Sequence, residues 1–188
     1  MSASQGKQGV SAHASSERGR AQLRPVEDLD FDELFRRFAP YVARIGYRLL
    51  GDRADVDDLV QDVFATAYRK RNQLRDPEAA RPWLATSAVR RARRLLHKRT
   101  VRRLIGLGSP DYEDVAAPSL AEADRVLLAS IYQILDRVPA NQRIAWALRH
   151  LHGASLEEVA RTCRCSLATA KRRIRAAHDQ IRKELADG

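Results

Sequence analysis

The chain has 188 residues, of which 44% are apolar, 31% are charged and 6% are aromatic, and its formal net charge is +10. This length fits one domain of average size or two small ones, and the positive charge favours an anionic partner, most often nucleic acid, over a membrane surface, for which clustered aromatic anchors are missing. No apolar run approaches the roughly 18 residues of a membrane span, and the N-terminal residues lack the apolar stretch of a signal peptide, so we expect a cytoplasmic protein without direct membrane insertion.

The composition predicts an all-α fold, because Ala, Leu, Arg and Glu dominate and strand-forming residues are few. We predict two small helical domains joined by a flexible linker. Residues 1–27, rich in Ser, Ala, Gln and Gly, are assigned to a disordered tail. The first domain is assigned to residues 28–103 and the second to residues 119–188. Between them, residues 104–118 contain two glycines, two prolines and three acids, as expected of a linker.

Two helices open the first domain. The first begins near Asp32 and carries apolar residues at spacings of three and four as far as Leu50, where Gly51 ends it. The second is predicted from about residue 55 to 72, with an apolar stripe on one side and an acidic face on the other. Its Asp62 lies beyond the first turn, so the helix dipole does not explain it. Such a face suits a basic protein partner, and a solvated acidic surface is the alternative that the pattern leaves open.

A third helix is predicted from Pro82 to Arg103, with the proline in the first turn. From Arg81 to Arg103 the sequence has nine basic residues and no acid. Like charges three and four residues apart oppose a helix unless an anion neutralises them, and a phosphate backbone would do so. This helix is therefore a candidate DNA surface. Trp83 at its start either stacks on a base or anchors the core.

The second domain begins with two more predicted helices. Ser119 and Glu122 have the spacing of a capping box. The first of these helices has an inward stripe and ends at Pro139, and the next runs to about His152. The residues of the stripe are Leu127, Leu128, Ile131, Leu135 and Val138.

A helix-turn-helix follows. Ser155 and Glu158 form a second capping box that opens a short helix through Arg161, residues 162–165 make a tight turn, and Ser166 caps a last helix that runs to about Leu185. Its predicted inward residues are Leu167, Ala170, Ile174, Ala177 and Ile181. The outward residues include Arg172 and Arg175 as candidate readers of guanine edges, Lys171 for a base or a phosphate, and Arg173, Arg182 and Lys183 for phosphates. The alternative is a solvated basic face on a helical bundle.

Enzymatic and metal-binding functions find little support. The sequence has no phosphate-binding glycine loop, metalloprotease pair or nucleophile elbow, and we predict no enzyme activity and no cofactor. His150 and His152 together with Cys163 and Cys165 would form a zinc site only if all four converged, and their spacing is not that of a known zinc finger. A partly buried cysteine in a turn is the simpler interpretation, so no metal is predicted.

Four segments between about residues 31 and 185 carry a family resemblance. They are VDDLVQDVF at 56–64, similar to the pattern E-D-L-V-Q-E-x-F; PWL at 82–84, followed by Thr86 and Ala88; VPANQR at 138–143, similar to L-P-x-x-Q-R; and the helix pair at 153–160 and 166–173. Taken together, these segments resemble those of the extracytoplasmic-function sigma factors, the compact two-domain sigma factors of bacterial RNA polymerase.

The resemblance implies a sigma region 2-like bundle, a sigma region 4-like helix-turn-helix and three groups of site residues. The polymerase-binding group, directed at the clamp coiled coil of the largest subunit of core RNA polymerase, is Asp57, Asp58, Leu59, Gln61 and Asp62. The group for recognition and melting of the minus-ten promoter element is Leu74, Arg75, Asp76, Trp83, Arg90, Arg91, Arg94 and Lys98. The group for the minus-thirty-five element is Ser166, Thr169, Lys171, Arg172, Arg173 and Arg175. The resemblance also implies an anti-sigma factor as a partner, often one in the membrane.

The chain departs from the family pattern at two places. Val89 and Arg90 stand where many members have an Arg-Asn pair, and Ala176 stands where some have Arg. The resemblance therefore predicts no promoter sequence. The alternative function is a helix-turn-helix transcriptional regulator that does not join polymerase, and the acidic helix distinguishes the two.

Overall fold

The computed structural model describes residues 31–71, 74, 77–107, 112 and 122–186, and within these residues it contains helices and no strand. The helices, in chain order, are α1 (Phe31–Leu50), α2 (Arg53–Arg69), α3 (Pro77–Leu104), α4 (Glu122–Arg137), α5 (Ala140–His150), α6 (Leu156–Cys163) and α7 (Leu167–Ala186). The predicted all-α fold is confirmed. The predicted tail, most of the predicted linker and the Ser119 cap lie outside the described residues.

Helices α1, α2 and α3 pack against one another as an N-terminal three-helix unit. The apolar stripe predicted for α1 is buried except at Phe35, with Val42, Ile45 and Leu49 almost wholly inaccessible. Gly46 allows the close approach of α2, since a Cβ atom there would lie 3.2 Å from a methyl group of Val56. The unit therefore owes its core to the spacing of apolar residues that the sequence already displays.

The starts of α2 and α3 differ from the predicted ones. Helix α2 begins two residues before the predicted start, because the side chain of Asp52 accepts bonds from the amides of Ala54 and Asp55, both at 3.3 Å, and so caps the helix. Helix α3 begins at Pro77, so Pro82 lies inside the helix and not in its first turn. Pro77 itself takes the favourable first position, which the sequence analysis had given to Pro82.

Helices α4 to α7 form a C-terminal four-helix unit in which α7 contacts each of the other three. The capping box at the start of α6 is confirmed: the amide of Ser155 donates to a carboxylate oxygen of Glu158 at 2.7 Å, and the amide of Glu158 donates to Ser155 Oγ at 3.1 Å. Helix α6 continues to Cys163 and ends on Arg164, whose φ of 52° is left-handed. This short turn sets α7 across α6, as in a helix-turn-helix.

Two residues predicted to face inward are exposed. Leu127 is 55% exposed because the first half of α4 projects beyond its contacts with α7, and Leu167 is 38% exposed because it occupies the first position of α7. The remaining inward positions of α7 are filled as predicted, with Ala170, Ala177 and Ile181 buried. The predicted stripe is therefore buried along most of α7. Its predicted residues are exposed near the ends of helices, where neighbouring helices are missing on one side.

The two units pack directly onto each other. Helix α1 contacts α5, and α3 contacts both α5 and α6. The buried side chains of the two units join in one apolar cluster that includes Leu50 of α1 and Leu135 of α4. The sequence predicts only a flexible connection between the units, and no pattern in it indicates this interface.

Candidate functional site

The acidic face of α2 is the first candidate surface. Asp57, Asp58 and Gln61 are exposed on one side of the helix, as predicted. Leu59, predicted to belong to the same group, is completely buried, because it faces the α1 side of the bundle. It supports the helix from beneath and offers no surface to a partner. The acidic surface, as the term is used below, is Asp57, Asp58, Gln61 and Asp62.

Asp62 connects the acidic surface to α3. Its Oδ2 lies 2.8 Å from Nε of Arg91, and the two side chains are 50% and 24% exposed. An ion pair this exposed adds little stability. It does place Arg91, which was predicted to contact DNA, against a carboxylate of the protein itself.

An aromatic cluster beside the acidic surface was missed by the sequence analysis. The rings of Phe35 and Phe64 lie 4.8 Å apart and those of Phe31 and Tyr68 lie 5.1 Å apart, all edge to face. Phe35 is 42% exposed and Tyr68 is 51% exposed. In the sequence, Phe35 simply continued the apolar stripe of α1. Only the neighbouring helix shows that the stripe extends past the core here.

The basic face of α3 is the second candidate surface. Arg90, Arg94 and Lys98 are exposed and recur every four residues, so they lie on one side of the helix. Trp83 is partly buried against the core. The basic row, defined here as Arg90, Arg94 and Lys98, carries three positive charges for which the structure shows no carboxylate partner within the described residues. Such a row supplies the positive charge that binding of a nucleic acid strand requires.

The loop before α3 agrees with the prediction only in part. Leu74 was predicted to contact the minus-ten element, but its side chain is only 4% exposed and belongs to the core. Its amide is bonded to the carbonyl of Arg71 at 2.9 Å. Leu74 therefore anchors the loop and does not present itself to DNA. Arg75 and Asp76 lie outside the described residues.

The helix-turn-helix is the third candidate surface. Lys171, Arg172 and Arg175 are exposed along one side of α7, as predicted for a recognition helix, and Arg173 is partly buried. Lys171, Arg172 and Arg175 are called the recognition face below.

Ser166 and Thr169 have a local role at the start of α7. The Ser166 hydroxyl accepts the amide of Thr169 at 3.2 Å and donates to the Thr169 hydroxyl at 2.9 Å. Both were predicted to contact the minus-thirty-five element. In this structure they cap α7, and the cap fixes the residue at which the helix that carries Lys171 and Arg172 begins.

The four residues weighed as a metal site do not converge. His150 stacks on the ring of His178, with centroids 5.9 Å apart, whereas His152 lies 6.1 Å from the ring of Tyr41 on α1. Burial raises the pKa of the Cys163 thiol to about 11, so in this environment the thiol stays protonated at neutral pH. Within the part of the chain that the structure describes, no group of three or more His, Cys, Asp or Glu side chains is arranged to hold a metal ion.

Each of the two units matches the model of a known protein family. Residues 34–103 match the family model for sigma-70 region 2, and residues 128–179 match the model for sigma-70 region 4. The first match contains the acidic surface and the basic row, and the second contains the helix-turn-helix.

Relatives of established name match over most of the chain. The chain is 32% identical to the ECF RNA polymerase sigma factor SigE of Mycolicibacterium smegmatis over 83% of its own length and 62% of that protein. It is 26% identical to the RNA polymerase sigma-H factor of Pseudomonas aeruginosa over 82% of its length and 86% of that protein. It is 27% identical to the ECF RNA polymerase sigma-E factor of Escherichia coli K12, covering 80% and 84% of the two chains.

Solved structures agree with the fold. The sigma factor RpoE of Bartonella quintana, determined in complex with the anti-sigma factor NepR, superposes with a TM-score of 0.61 at 24% identity over 84% of this chain and 97% of that one. CnrH, determined in complex with the cytosolic domain of CnrY, superposes with a TM-score of 0.57 at 23% identity over 84% of this chain and 88% of that one. Among the described residues, no helix is long and apolar enough to cross a membrane. The two region models and these relatives agree, and the chain belongs to the extracytoplasmic-function group of the sigma-70 family of RNA polymerase sigma factors.

Proposed function

We propose that this protein binds core RNA polymerase through the acidic surface of α2 and directs it to start transcription at specific promoters. The observation that carries the proposal is the separation of charge on the molecule. Three exposed carboxylates stand on one helix of a chain whose net charge is +10, while exposed arginines and lysines stand on α3 and α7. A basic protein partner and a polyanionic partner can therefore be bound at the same time.

The two basic surfaces have different tasks in this proposal. The basic row of α3 holds the opened minus-ten strand, and the recognition face of α7 reads the minus-thirty-five element in the major groove. Arginine pairs with guanine through two hydrogen bonds, so Arg172 and Arg175 supply sequence choice. The basic row contacts phosphates and supplies affinity without sequence choice. Residues 28–103 and 119–188 act as the two functional domains.

We also propose an anti-sigma factor as a partner and the cytoplasm, at the nucleoid, as the place of action. The solved structures of RpoE with NepR and of CnrH with CnrY support this, since each has an anti-sigma protein or a cytosolic partner domain on the same fold. A membrane-bound partner of this kind would tether the protein to the membrane without any insertion of its own. Sigma factors act on polymerase without catalysing a reaction themselves, so we propose no enzymatic role and no cofactor or resident metal.

A charge reversal tests polymerase binding. The double variant Asp58→Lys, Asp62→Lys reverses the charge of the acidic surface. We expect its affinity for core polymerase, followed by co-elution, to fall by a hundredfold or more, equivalent to about 2.7 kcal/mol. The control is Glu33→Lys with Asp124→Lys, which makes the same change in net charge at exposed positions of α1 and α4. Equal binding by both variants would overturn the proposed surface.

The same experiment separates the proposal from its rival, a helix-turn-helix regulator that does not join polymerase. The intact helix-turn-helix geometry fits either function. A regulator of that kind would bind its DNA site alone and would not co-elute with core polymerase in any form. Co-elution of the unmodified protein, lost in the α2 variant and kept in the control, excludes the rival.

A further inference from the structure

A cavity of about 450 Å³ is lined by residues of α1, α3, α5 and α6 and of the loop between α5 and α6. Binding sites for small molecules usually have volumes of roughly 300–1,000 Å³. The buried residues that line this cavity are apolar and include Ile45, Ala85 and Leu148. The exposed ones include Arg81 of α3 and Arg161 of α6. The cavity is therefore large enough for a small molecule and has cations on its accessible side.

The surroundings of His152 show that the charge around this cavity is positive. His152 lines the cavity, and its Nδ1 lies 3.3 Å from Nη1 of Arg48. Burial lowers the pKa of His152, and the positive charges of Arg48, Arg44 and Arg81 lower it further, because neighbouring cations disfavour a protonated imidazole. Arg161 adds a fourth positive charge from α6. Arg44, Arg48, Arg81 and Arg161 are called the arginine cluster below.

The protein does little to neutralise the arginine cluster. Among the described residues that line the cavity, Glu158 is the one acid, and its carboxylate already accepts the amide of Ser155 at 2.7 Å in the cap of α6. Within the part of the chain that the structure describes, no member of the cluster forms an ion pair with a carboxylate. Arg81 instead lies over the ring of Tyr41, 4.9 Å from its centroid. The cavity is therefore left with an excess of positive charge.

The arginine cluster is separate from the basic row of α3. Arg81 precedes Arg90 by nine residues, or about two and a half turns, so the two lie on opposite sides of the helix. The shape of the site also differs from that of a DNA surface. A cavity of about 450 Å³ admits a small molecule but not a duplex, whose major groove alone is about 12 Å wide.

Phosphate is the anion that suits a group of arginines best. The guanidinium group is planar, keeps its charge at neutral pH and binds phosphate oxygens through paired hydrogen bonds. Four arginines beside one carboxylate favour an anion with two or more negative charges. A pyrophosphate group meets both conditions and is small enough for the cavity.

We propose that this cavity binds a small molecule that carries a multivalent phosphate group, with the phosphate held by the arginine cluster. The inference goes beyond the proposed function, since neither polymerase nor promoter takes part in it. The phosphate contacts Arg81 and Arg161 directly, because these two arginines line the cavity. Arg44 and Arg48 act on it through their positive charge, as they do on His152.

Isothermal titration calorimetry of the full chain with inorganic pyrophosphate tests the site. One variant is Arg161→Gln, and a second, the double cavity variant, combines Arg81→Gln with Arg161→Gln. The matched control is the double variant Arg36→Gln, Arg69→Gln, which has the same net charge as the double cavity variant. Arg36 and Arg69 are exposed, and each is bonded to a residue of its own helix. Far-ultraviolet circular dichroism measures the helix content of every variant.

We expect saturable binding of pyrophosphate to the unmodified protein. The affinity should fall about tenfold or more in the double cavity variant, less in Arg161→Gln and little in the control, because each guanidinium removed takes charge-assisted hydrogen bonds with it. Absence of binding, or an equal loss in the cavity and control variants, would overturn the proposal. If the double cavity variant loses helix content, Arg161→Gln decides the matter alone: a weaker affinity supports the site, and an unchanged affinity rejects it.

The pKa of His152 locates the bound anion. It is measured by nuclear magnetic resonance of the ring protons, with His152→Gln to identify the signal. We expect saturating pyrophosphate to raise this pKa, because an anion in the cavity offsets the positive charge of the arginine cluster and favours the protonated ring. If pyrophosphate binds and the pKa of His152 does not change, the anion is held elsewhere and the proposal is wrong.

A short DNA duplex distinguishes a small molecule from nucleic acid as the source of the phosphate. We expect the double cavity variant and the control to bind the duplex equally, since they have the same net charge. Weaker duplex binding by the double cavity variant alone, without any binding of pyrophosphate, would assign the arginine cluster to nucleic acid and overturn the proposal. Failure of the unmodified protein to bind polymerase would contradict the proposed function and leave these measurements unaffected.

Discussion

Helices α3 and α7 are both rich in arginine, yet they use it differently. In α7 the basic residues of the recognition face point to solvent while alanines and isoleucines face the core. In α3 the basic residues are divided. Arg91 and Arg99 pair with carboxylates of the same unit, whereas the exposed basic row of Arg90, Arg94 and Lys98 forms no such pair within the described residues. A uniform basic run in a sequence can therefore combine structural and binding positions.

Arg99 shows the structural use most clearly. Its Nε lies 2.6 Å from Asp55, its Nη2 lies 3.3 Å from Asp52, and its Nη1 donates to the carbonyl of Leu50 at 2.8 Å. The side chain is 10% exposed. Arg99 thus connects α3 to the end of α1 and the start of α2.

The largest expected effect on stability follows from removing that side chain. Arg99→Ala leaves two partly buried carboxylates without their cation, and we expect a loss of about 3 kcal/mol in the free energy of unfolding. Arg90→Ala, on the exposed side of the same helix, should cost less than about 0.5 kcal/mol. Urea denaturation followed by circular dichroism measures both. Equal losses would show that α3 does not divide its arginines in this way.

A smaller effect concerns DNA binding and separates α7 from α3. Arg172→Ala should cost about 1–3 kcal/mol and relax sequence choice at one position of the minus-thirty-five element, because a base contact is lost. Arg94→Ala should weaken binding about equally on all sequences and lower the salt slope by about one, because a phosphate contact is lost. Binding of the polymerase complex to a library of promoter variants distinguishes them. Uniform weakening by Arg172→Ala would mean that it contacts only phosphate.

The smallest effect is a pH dependence of the interface between the units. His152 lies at this interface, where its Nδ1 is 3.3 Å from Nη1 of Arg48. Burial lowers the pKa of His152 from 6.5, and nearby arginines lower it further. The charged groups that face it are Arg44 and Arg48 of α1, Arg81 of α3 and Glu158 of α6, of which only Glu158 acts in the opposite direction.

The sign follows from linkage. In the folded protein His152 has the lower pKa, so the unfolded chain binds more protons in the window between that lowered pKa and about 6.5. The contribution of His152 to the stability of the folded state is therefore fully present above about pH 6.5 and is lost as the pH falls through this window. We expect the free energy of unfolding, measured by urea denaturation, to fall on acidification, and to fall less in His152→Gln. Identical profiles for the two proteins would assign the pH dependence to other groups.

The sequence predicts most of the fold for a simple physical reason. Apolar residues recur at spacings of three and four, and Ser155 and Glu158 cap α6 through local bonds that the order of residues already specifies. The failures occur where the cause is not local. Leu127 and Leu167 are exposed because a neighbouring helix is missing on one side, and Pro82 was given the place that Pro77 occupies.

The candidate sites were predictable to a similar degree. The exposed acids of α2 and the exposed arginines of α7 follow from periodicity, since positions opposite an apolar stripe must face solvent. Leu59 and Leu74 were assigned by resemblance to binding groups and are buried. The pairing of Asp62 with Arg91 and the bonds of Tyr132 and Arg143 to the end of α1 join residues 29 to 94 positions apart, so no local pattern signals them.

The central claim is that one chain carries a polymerase-binding acidic surface and two promoter-binding basic surfaces. In vitro transcription with purified core polymerase on a library of genomic templates tests it directly. We predict transcripts that begin at a limited set of sites only when the protein is added, and fewer when Asp58 and Asp62 are changed to lysine. Absence of any defined start site with the unmodified protein would contradict the account.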